Sequence, residues 1–327
     1  MLRLPRLLAA TVAVALSAVV AACSLAEGPV AADPDDVVVA VRVGAGPDAE
    51  TQLLAHVLVA MLDREQVPAE VVVFTDTRDV RQALEVGRID LRPAYSGEVW
   101  LESLEQAAPP ADPRASIAGV REHDAGLGLV WLQPRFGDGI DEPPANATFA
   151  LMVLGPPGAH ADLRTVSQLA TRLSERPEAA VCVDREFAER PDGLRAVLEA
   201  YSVRSDRPFL AADPAEAVVA VAAGDCIAGL TTATDGVAWR SGLRPLADDL
   251  RVFPAFVPLP QVRQEVLDEH PGVRRALIPL ATQLTTALLG GWNAQVAAGE
   301  PMPEVAREAA AELYGLAGRT GDQPDEE

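Results

Sequence analysis

An α/β fold follows from three features of this 327-residue sequence. Short apolar runs of strand length alternate with stretches whose apolar residues recur every three or four positions. Glycine, or aspartate followed by proline, punctuates the boundaries between them. Apolar residues make up 49% of the chain and mean hydropathy is +0.12, enough for ordinary buried cores. At about 100–200 residues per domain, the length predicts two domains or two lobes.

Taken in order, residues 37–43 form a valine-rich strand closed by Gly44 and Gly46. Residues 52–65 carry apolar side chains at 53, 54, 57, 58, 61 and 62, the stripe of an amphipathic helix. Residues 70–74 read as a strand, 78–86 as a short helix stopped by Gly87, and Ile89-Asp90-Leu91 opens another strand. A Pro- and Asp-rich stretch at 107–113 leads into a helix near 116–124 and a strand at 129–132. The Gly-, Pro- and Asp-rich loop 136–145 separates this set from a second α/β set that begins with a strand at 148–154. There Asp162 is placed to cap a helix reaching Leu173, and Asp192 one reaching Tyr201. Asp213-Pro214-Ala215-Glu216 combines an N-cap, a first-turn proline and an N3 carboxylate, and Gly224 ends that helix. Residues 179–183 and 226–230 are short strand-like runs, 261–315 are mostly helical, and the acidic tail 318–327 is expected to be disordered.

The chain sets 48 acidic residues against 27 arginines and no lysine, a formal charge of −21. That balance argues against a nucleic-acid partner, whose phosphates require a basic footprint. The amino terminus has the pattern of an export signal over residues 1–22: Arg3 and Arg6, then an apolar run, then Ala21 and Ala22 before Cys23. The run is slightly short of the roughly 20 residues that span a bilayer. Val20-Ala21-Ala22-Cys23 resembles the bacterial lipobox, which implies lipidation at Cys23 and a polar tether over 23–36. Two cysteines then remain, Cys182 and Cys226, and a pair outside the cytoplasm reads as a disulfide, with two separate buried thiols as the alternative. In the chain-entropy model such a bridge contributes about 4 kcal/mol.

Catalytic and metal motifs are missing. The four histidines are scattered, and no nucleophile elbow or Walker loop is present. Asp184 and Glu186 are two residues apart, compatible with acid–base work on a strand end or with pairing to Arg185 and Arg190. No catalytic residue, metal or cofactor is assigned.

Five segments carry a resemblance. Ile89-Asp90-Leu91-Arg92-Pro93-Ala94-Tyr95-Ser96-Gly97 resembles the "IDLYPEYTG" run of the osmoprotectant-binding proteins of ABC transporters, receptors for glycine betaine, choline and related amines. Trp131-Leu132-Gln133-Pro134 with Asn146-Ala147-Thr148-Phe149-Ala150-Leu151 is similar to their "WL-P … NDTYAL". Glu186-Phe187 followed by Arg190-Pro191-Asp192-Gly193-Leu194 is similar to "EF-x-x-RPDGL", Thr234-Asp235-Gly236 to "STDG", and Asp248-Asp249 with Phe253-Pro254 to "DD…FP". Their order holds from about 37 to 317. The resemblance implies a type II periplasmic-binding-protein fold: two α/β lobes joined by two crossovers, lobe 1 at 37–147 and 250–317, lobe 2 at 148–249. It implies a lipoprotein on the outer face of the bacterial cytoplasmic membrane that delivers a cationic or zwitterionic amine to an ABC permease.

A quaternary ammonium has no N–H to donate, so such a ligand is held by aromatic faces. By motif, the implied cage residues are Tyr95, Phe149 and Phe256, the carboxylate anchor is Arg190, and Thr234 and Asp235 line the second lobe's side. The family's "GSKNFTE" run becomes Gly44-Ala45-Gly46-Pro47-Asp48-Ala49-Glu50, with Gly46 where its lysine stands, and Glu98 replaces the last threonine of "YTGT". These changes point to a cation without a carboxylate, with Glu98 as its counter-charge. Packing alternatives stay open: Tyr95, Phe149 and Phe256 as core residues, Arg190 paired with Asp192 or Glu186, Glu98 solvated at a helix start, and Asp235 as a cap. Two other classes compete with a solute receptor. One is a degenerate receptor acting through protein contacts at the envelope; the other is an envelope enzyme using Asp184 and Glu186.

Overall fold

Two five-stranded sheets organise the chain. The computed structural model describes residues 40–104, 106, 108–136, 143–190, 193–204, 209–211 and 213–320. The signal segment 1–22, Cys23 with the tether 23–36, Asp192 and residues 321–327 lie outside the described residues, while 318–320 of the expected disordered tail are helical.

The first half runs β1 (Val41–Ala45), α1 (Ala49–Arg64), β2 (Ala69–Val73), α2 (Thr77–Glu85), β3 (Leu91–Tyr95), α3 (Ser96–Glu102), α4 (Pro113–Ala125) and β4 (Leu129–Trp131). The chain then crosses to β5 (Phe149–Leu154), α5 (Val166–Glu175), β6 (Val181–Val183), α6 (Arg185–Glu189), α7 (Leu194–Ala200), β7 (Phe209–Ala211), α8 (Pro214–Ala223), β8 (Ala228–Thr232), α9 (Gly236–Arg240) and β9 (Leu243–Pro245). It returns with β10 (Pro258–Arg263), α10 (Gln264–Glu269), α11 (Pro271–Gln283), α12 (Thr286–Ala297) and α13 (Met302–Thr320).

The strand orders are β2-β1-β3-β10-β4 and β7-β6-β8-β5-β9. In each sheet the first three strands are parallel and the last two alternate antiparallel. The chain therefore passes between two like-wired α/β lobes twice. Among the described residues no helix is long and apolar enough to cross a membrane.

Local chemistry explains most boundaries. Asp48 caps α1 by accepting from the Thr51 N–H at 2.8 Å, and Leu53, Leu54, Val57, Leu58, Met61 and Leu62 bury the stripe that the periodicity predicts. The Asp213–Glu216 capping box forms reciprocally, at 2.8 and 3.1 Å, and Gly224 ends α8 in the left-handed region. Asp162 does not cap α5. Thr165 does, because Gln168 reaches back to complete a capping box, and Asp162 pairs with Arg172 at 2.8 Å instead. The structure begins α7 after Gly193. Asp184 caps α6, a helix not anticipated, by accepting from the Phe187 N–H at 2.8 Å.

The first lobe's core joins β1, β3 and β10 to α1, α11 and α13. The second lobe has a separate core on each face of its sheet. Cys182 and Cys226 are bonded within one of them, with Cα atoms 5.8 Å apart, alongside the β6–β8 pairing of Cys182 with Gly229.

Candidate functional site

The lobes are linked near the ends of β3 and β8. One contact across the junction is a helix–helix seam: α12, which follows the first lobe's last strand, packs on α9 of the second lobe. Glycine makes the close approach possible. A Cβ on Gly236 would stand 2.3 Å from the Asn293 carbonyl oxygen, and one on Gly290 2.3 Å from the Trp239 ring. Arg240 donates to the Ala297 carbonyl at 3.0 Å, and Asn293 donates from Nδ2 to the Thr234 carbonyl at 2.8 Å.

Glu50 sits at this junction, in the first turn of α1. Its Oε1 accepts from the Tyr95 hydroxyl at 2.6 Å and its Oε2 from Asn293 Nδ2 at 2.5 Å. One hydrogen-bonded chain therefore runs from the end of β3 through α1 and α12 to the second lobe. Burial pushes the Glu50 carboxyl above its ordinary range, against the hydrogen bonds from Thr234, Tyr95 and Asn293, and nearby Asp48 pushes it further up. Burial, and then the Glu50 charge, hold the Tyr95 phenol well above its usual range. Tyr95 is nearly buried, and Thr234 is 1% exposed.

Phe256 packs on the first turn of α3, which follows Tyr95. Its ring packs against Gly97, its N–H donates to Asn146 Oδ1 at 2.7 Å, and its carbonyl accepts from the Ala147 N–H at 2.9 Å. Phe149 is 42% exposed at the start of β5, opposite Thr232, with its ring 5.8 Å from Phe187. The Arg190 guanidinium stands 5.8 Å over that same Phe187 ring. Phe149, Phe187 and Arg190 thus form one group and Tyr95 with Glu50 another, while Phe256 packs on Gly97, two residues after Tyr95. Asp235 caps α9, accepting from the Ala238 N–H at 2.9 Å and from Thr231 Oγ1 at 2.6 Å.

Glu98 is engaged elsewhere. Its Oε1 accepts from Arg92 Nη1 at 2.9 Å, with the Arg92 side chain 2% and the Glu98 side chain 16% exposed. Arg92 Nε donates to Gln261 at 2.8 Å, and Gln261 donates to Asp124 at 2.5 Å. Asp124 also accepts from Arg81 at 2.7 and 3.0 Å and from the Trp131 indole at 2.6 Å. Burial alone would raise the Asp124 carboxyl, but the Arg81 guanidinium outweighs it and holds the group below its usual range. Glu98 is the outer end of this run, with its counter-charge in the same lobe.

Sequence reasoning did not select Glu50, Asn293 or Thr148. Glu50 was in view as the last residue of the run that lacks a lysine. Asn293 lay unmarked inside a helical stretch. Thr148 is buried, and its hydroxyl has no hydrogen-bond partner among the described residues. Asp184 is a cap, and no group of three or more His, Cys, Asp or Glu side chains among the described residues is placed to hold a metal.

The profile of the substrate-binding domain of ABC-type glycine betaine transport systems matches residues 39–312. The glycine-betaine-binding protein of Pseudomonas aeruginosa PAO1 is 30% identical over 295 residues, 86% of this chain and 92% of that protein. The glycine betaine-binding protein YehZ of Escherichia coli K12 is 29% identical over 266 residues, 79% of this chain and 85% of its own. The structure of apo YehZ superposes with a TM-score of 0.74 at 28% identity, covering 85% of this chain and 99% of that one. A structure of a glycine betaine/carnitine/choline ABC transporter shares the fold with a TM-score of 0.71 at 20% identity, over 84% of this chain and 98% of that chain.

Proposed function

This chain belongs to the family of substrate-binding domains of ABC-type glycine betaine transport systems, with its type II periplasmic-binding-protein fold, and from that premise we propose a quaternary-ammonium or related amine as its ligand. Members of the family are transport binding proteins, and we assign this chain no enzymatic role. The observation that carries the ligand class is the Tyr95 ring, tied by Glu50 into a chain of hydrogen bonds that reaches Thr234 in the other lobe.

In this reading Tyr95, Phe149 and Phe256 supply ring faces, each worth about 0.5–2 kcal/mol toward a cation. Arg190 would meet a carboxylate where the ligand has one. Thr234 and Asp235 line the second lobe's side, and Glu98 brings a pair with Arg92 rather than a lone charge. Hinge closure over the ligand would present both lobes to a permease. The boundaries 37–147 with 250–317, and 148–249, divide the lobes so that the Cys182–Cys226 bridge stiffens one without crossing the hinge. Lipidation at Cys23 would hold the protein on the outer face of the membrane.

Mass spectrometry of the solute released from natively purified protein tests the proposal. A quaternary amine is the expected species. No released solute, together with no thermal shift across a panel of amines, would favour the reading in which the protein acts through envelope contacts.

A further inference from the structure

We infer that Glu50, rather than Glu98, is the counter-charge for the cationic ligand, and that it sets a preference for amines carrying no carboxylate. The inference rests on the quaternary-amine reading of the cleft and sharpens it.

The two carboxylates differ in what answers their charge. Glu98 has the buried Arg92 guanidinium 2.9 Å away. Glu50 is half-buried, and its partners are neutral donors: the Tyr95 hydroxyl, the Asn293 amide and Thr234. Among the described residues no arginine pairs with it. The charged group that bears on it is another acid, Asp48, which already accepts the Thr51 N–H in the first turn of α1 and so draws on the same helix dipole. A half-buried anion without a cation is costly, and a cation supplied by the ligand would offset that cost.

The carboxylate lies at the phenol end of Tyr95, so a quaternary nitrogen over that ring face, within about 6 Å of its centroid, would stand roughly 7 Å from Glu50. At an effective dielectric of about 20 that attraction corresponds to about fiftyfold in affinity before solvent screening. A ligand that carries its own carboxylate into the same cleft gains the attraction at its nitrogen and loses much of it to repulsion at its acid. Accepting from the phenol O–H also enriches the ring that faces the cation.

The test is titration calorimetry of the full-length mature protein with choline chloride and with glycine betaine, comparing wild type with Glu50→Gln and Glu98→Gln. Glutamine keeps an acceptor for Tyr95 and removes the charge. For Glu50→Gln, choline affinity is expected to fall about tenfold or more, while betaine affinity holds or rises, so the ratio between them shifts by at least about tenfold. Glu98→Gln is expected to move both affinities together. Equal losses of both ligands in Glu50→Gln would reduce Glu50 to a structural role and overturn the inference. So would a ratio that shifts only in Glu98→Gln. If Glu50→Gln does not fold, the wild-type pH profile decides. Choline has no group to titrate there, so its affinity must weaken toward acid pH as Glu50 takes up a proton, with Asp48 and Tyr95 the other titratable groups facing it. A choline affinity flat across that range overturns the inference. Wild-type protein that binds neither ligand would instead remove the quaternary-amine reading itself.

Discussion

The two lobes share a strand order and hold it together by opposite means. Behind the first sheet lies a buried polar run, Arg81–Asp124–Gln261–Arg92–Glu98, that ties β3, β10 and α4 to the helix opening at the cleft. In the second sheet the tie is covalent and lies one strand pair over, where Cys182 of β6 is bonded to Cys226, just before β8, amid apolar side chains. A disulfide places no charge near the ligand. The run engages Glu98, whereas Glu50 at the junction pairs with no arginine among the described residues.

Breaking the polar run gives the largest expected effect. Asp124→Ala leaves Arg81 with Glu85 alone and removes the acceptor of the Trp131 indole and of Gln261, and should cost about 3–5 kcal/mol in urea unfolding. The Asp124 carboxyl is held below its ordinary value, so its contribution is present above the usual carboxylate range and fades as pH falls through that lowered value. Acid unfolding that is unchanged by Asp124→Ala would show that the run carries no net stability. Cys182→Ala with Cys226→Ala should cost somewhat less, about 2–4 kcal/mol, and hydrogen exchange should locate the loss in β6 and β8. Faster exchange spread equally over both sheets would erase the contrast between the lobes.

The seam between the lobes comes next. Gly236→Ala drives a methyl group into the Asn293 backbone and should cost about 1–3 kcal/mol. Because α9 and Asn293 then separate, the ligand-free protein should also expand in small-angle scattering. A radius of gyration identical to wild type would show that α12 does not hold the second lobe in place.

The smallest effect has the opposite sign. Glu50 has its carboxyl raised, so its favourable contribution exists at acid pH, below the ordinary carboxylate value, and is lost as pH rises through the raised one. Near neutral pH its charge opposes folding of the ligand-free protein. Glu50→Gln should therefore stabilise that form by about 1 kcal/mol at neutral pH and by less in acid, measured by thermal unfolding. Destabilisation at both pH values would place Glu50 with the structural charges of the polar run.

How much of this was legible in the sequence depended on the range of the interaction. The α1 stripe, the Asp213–Glu216 capping box and the α/β alternation are local patterns, and they stand where the periodicity and capping rules put them. The cap of α5 was misread because two candidates lay three residues apart, and only Thr165 had a glutamine positioned to reciprocate. The polar run was invisible because Arg81, Asp124 and Gln261 lie 43 and 137 positions apart, and sheet pairing alone brings them together. Arg92 and Glu98 are close in sequence, but their pairing needs β3 to turn directly into α3, and the motif reading gives Glu98 to the ligand and Arg92 no role. Asn293 joins Glu50 across 243 positions, with no local signal to mark it.

The central claim is that an amine cation is held where the two lobes meet. Calorimetric titration of the purified wild-type protein with choline chloride tests it most directly. One saturable site per chain, lost when Tyr95 is changed to Ala, is the predicted result. An absence of binding heat for choline and for glycine betaine alike, with the protein fully folded, would contradict it.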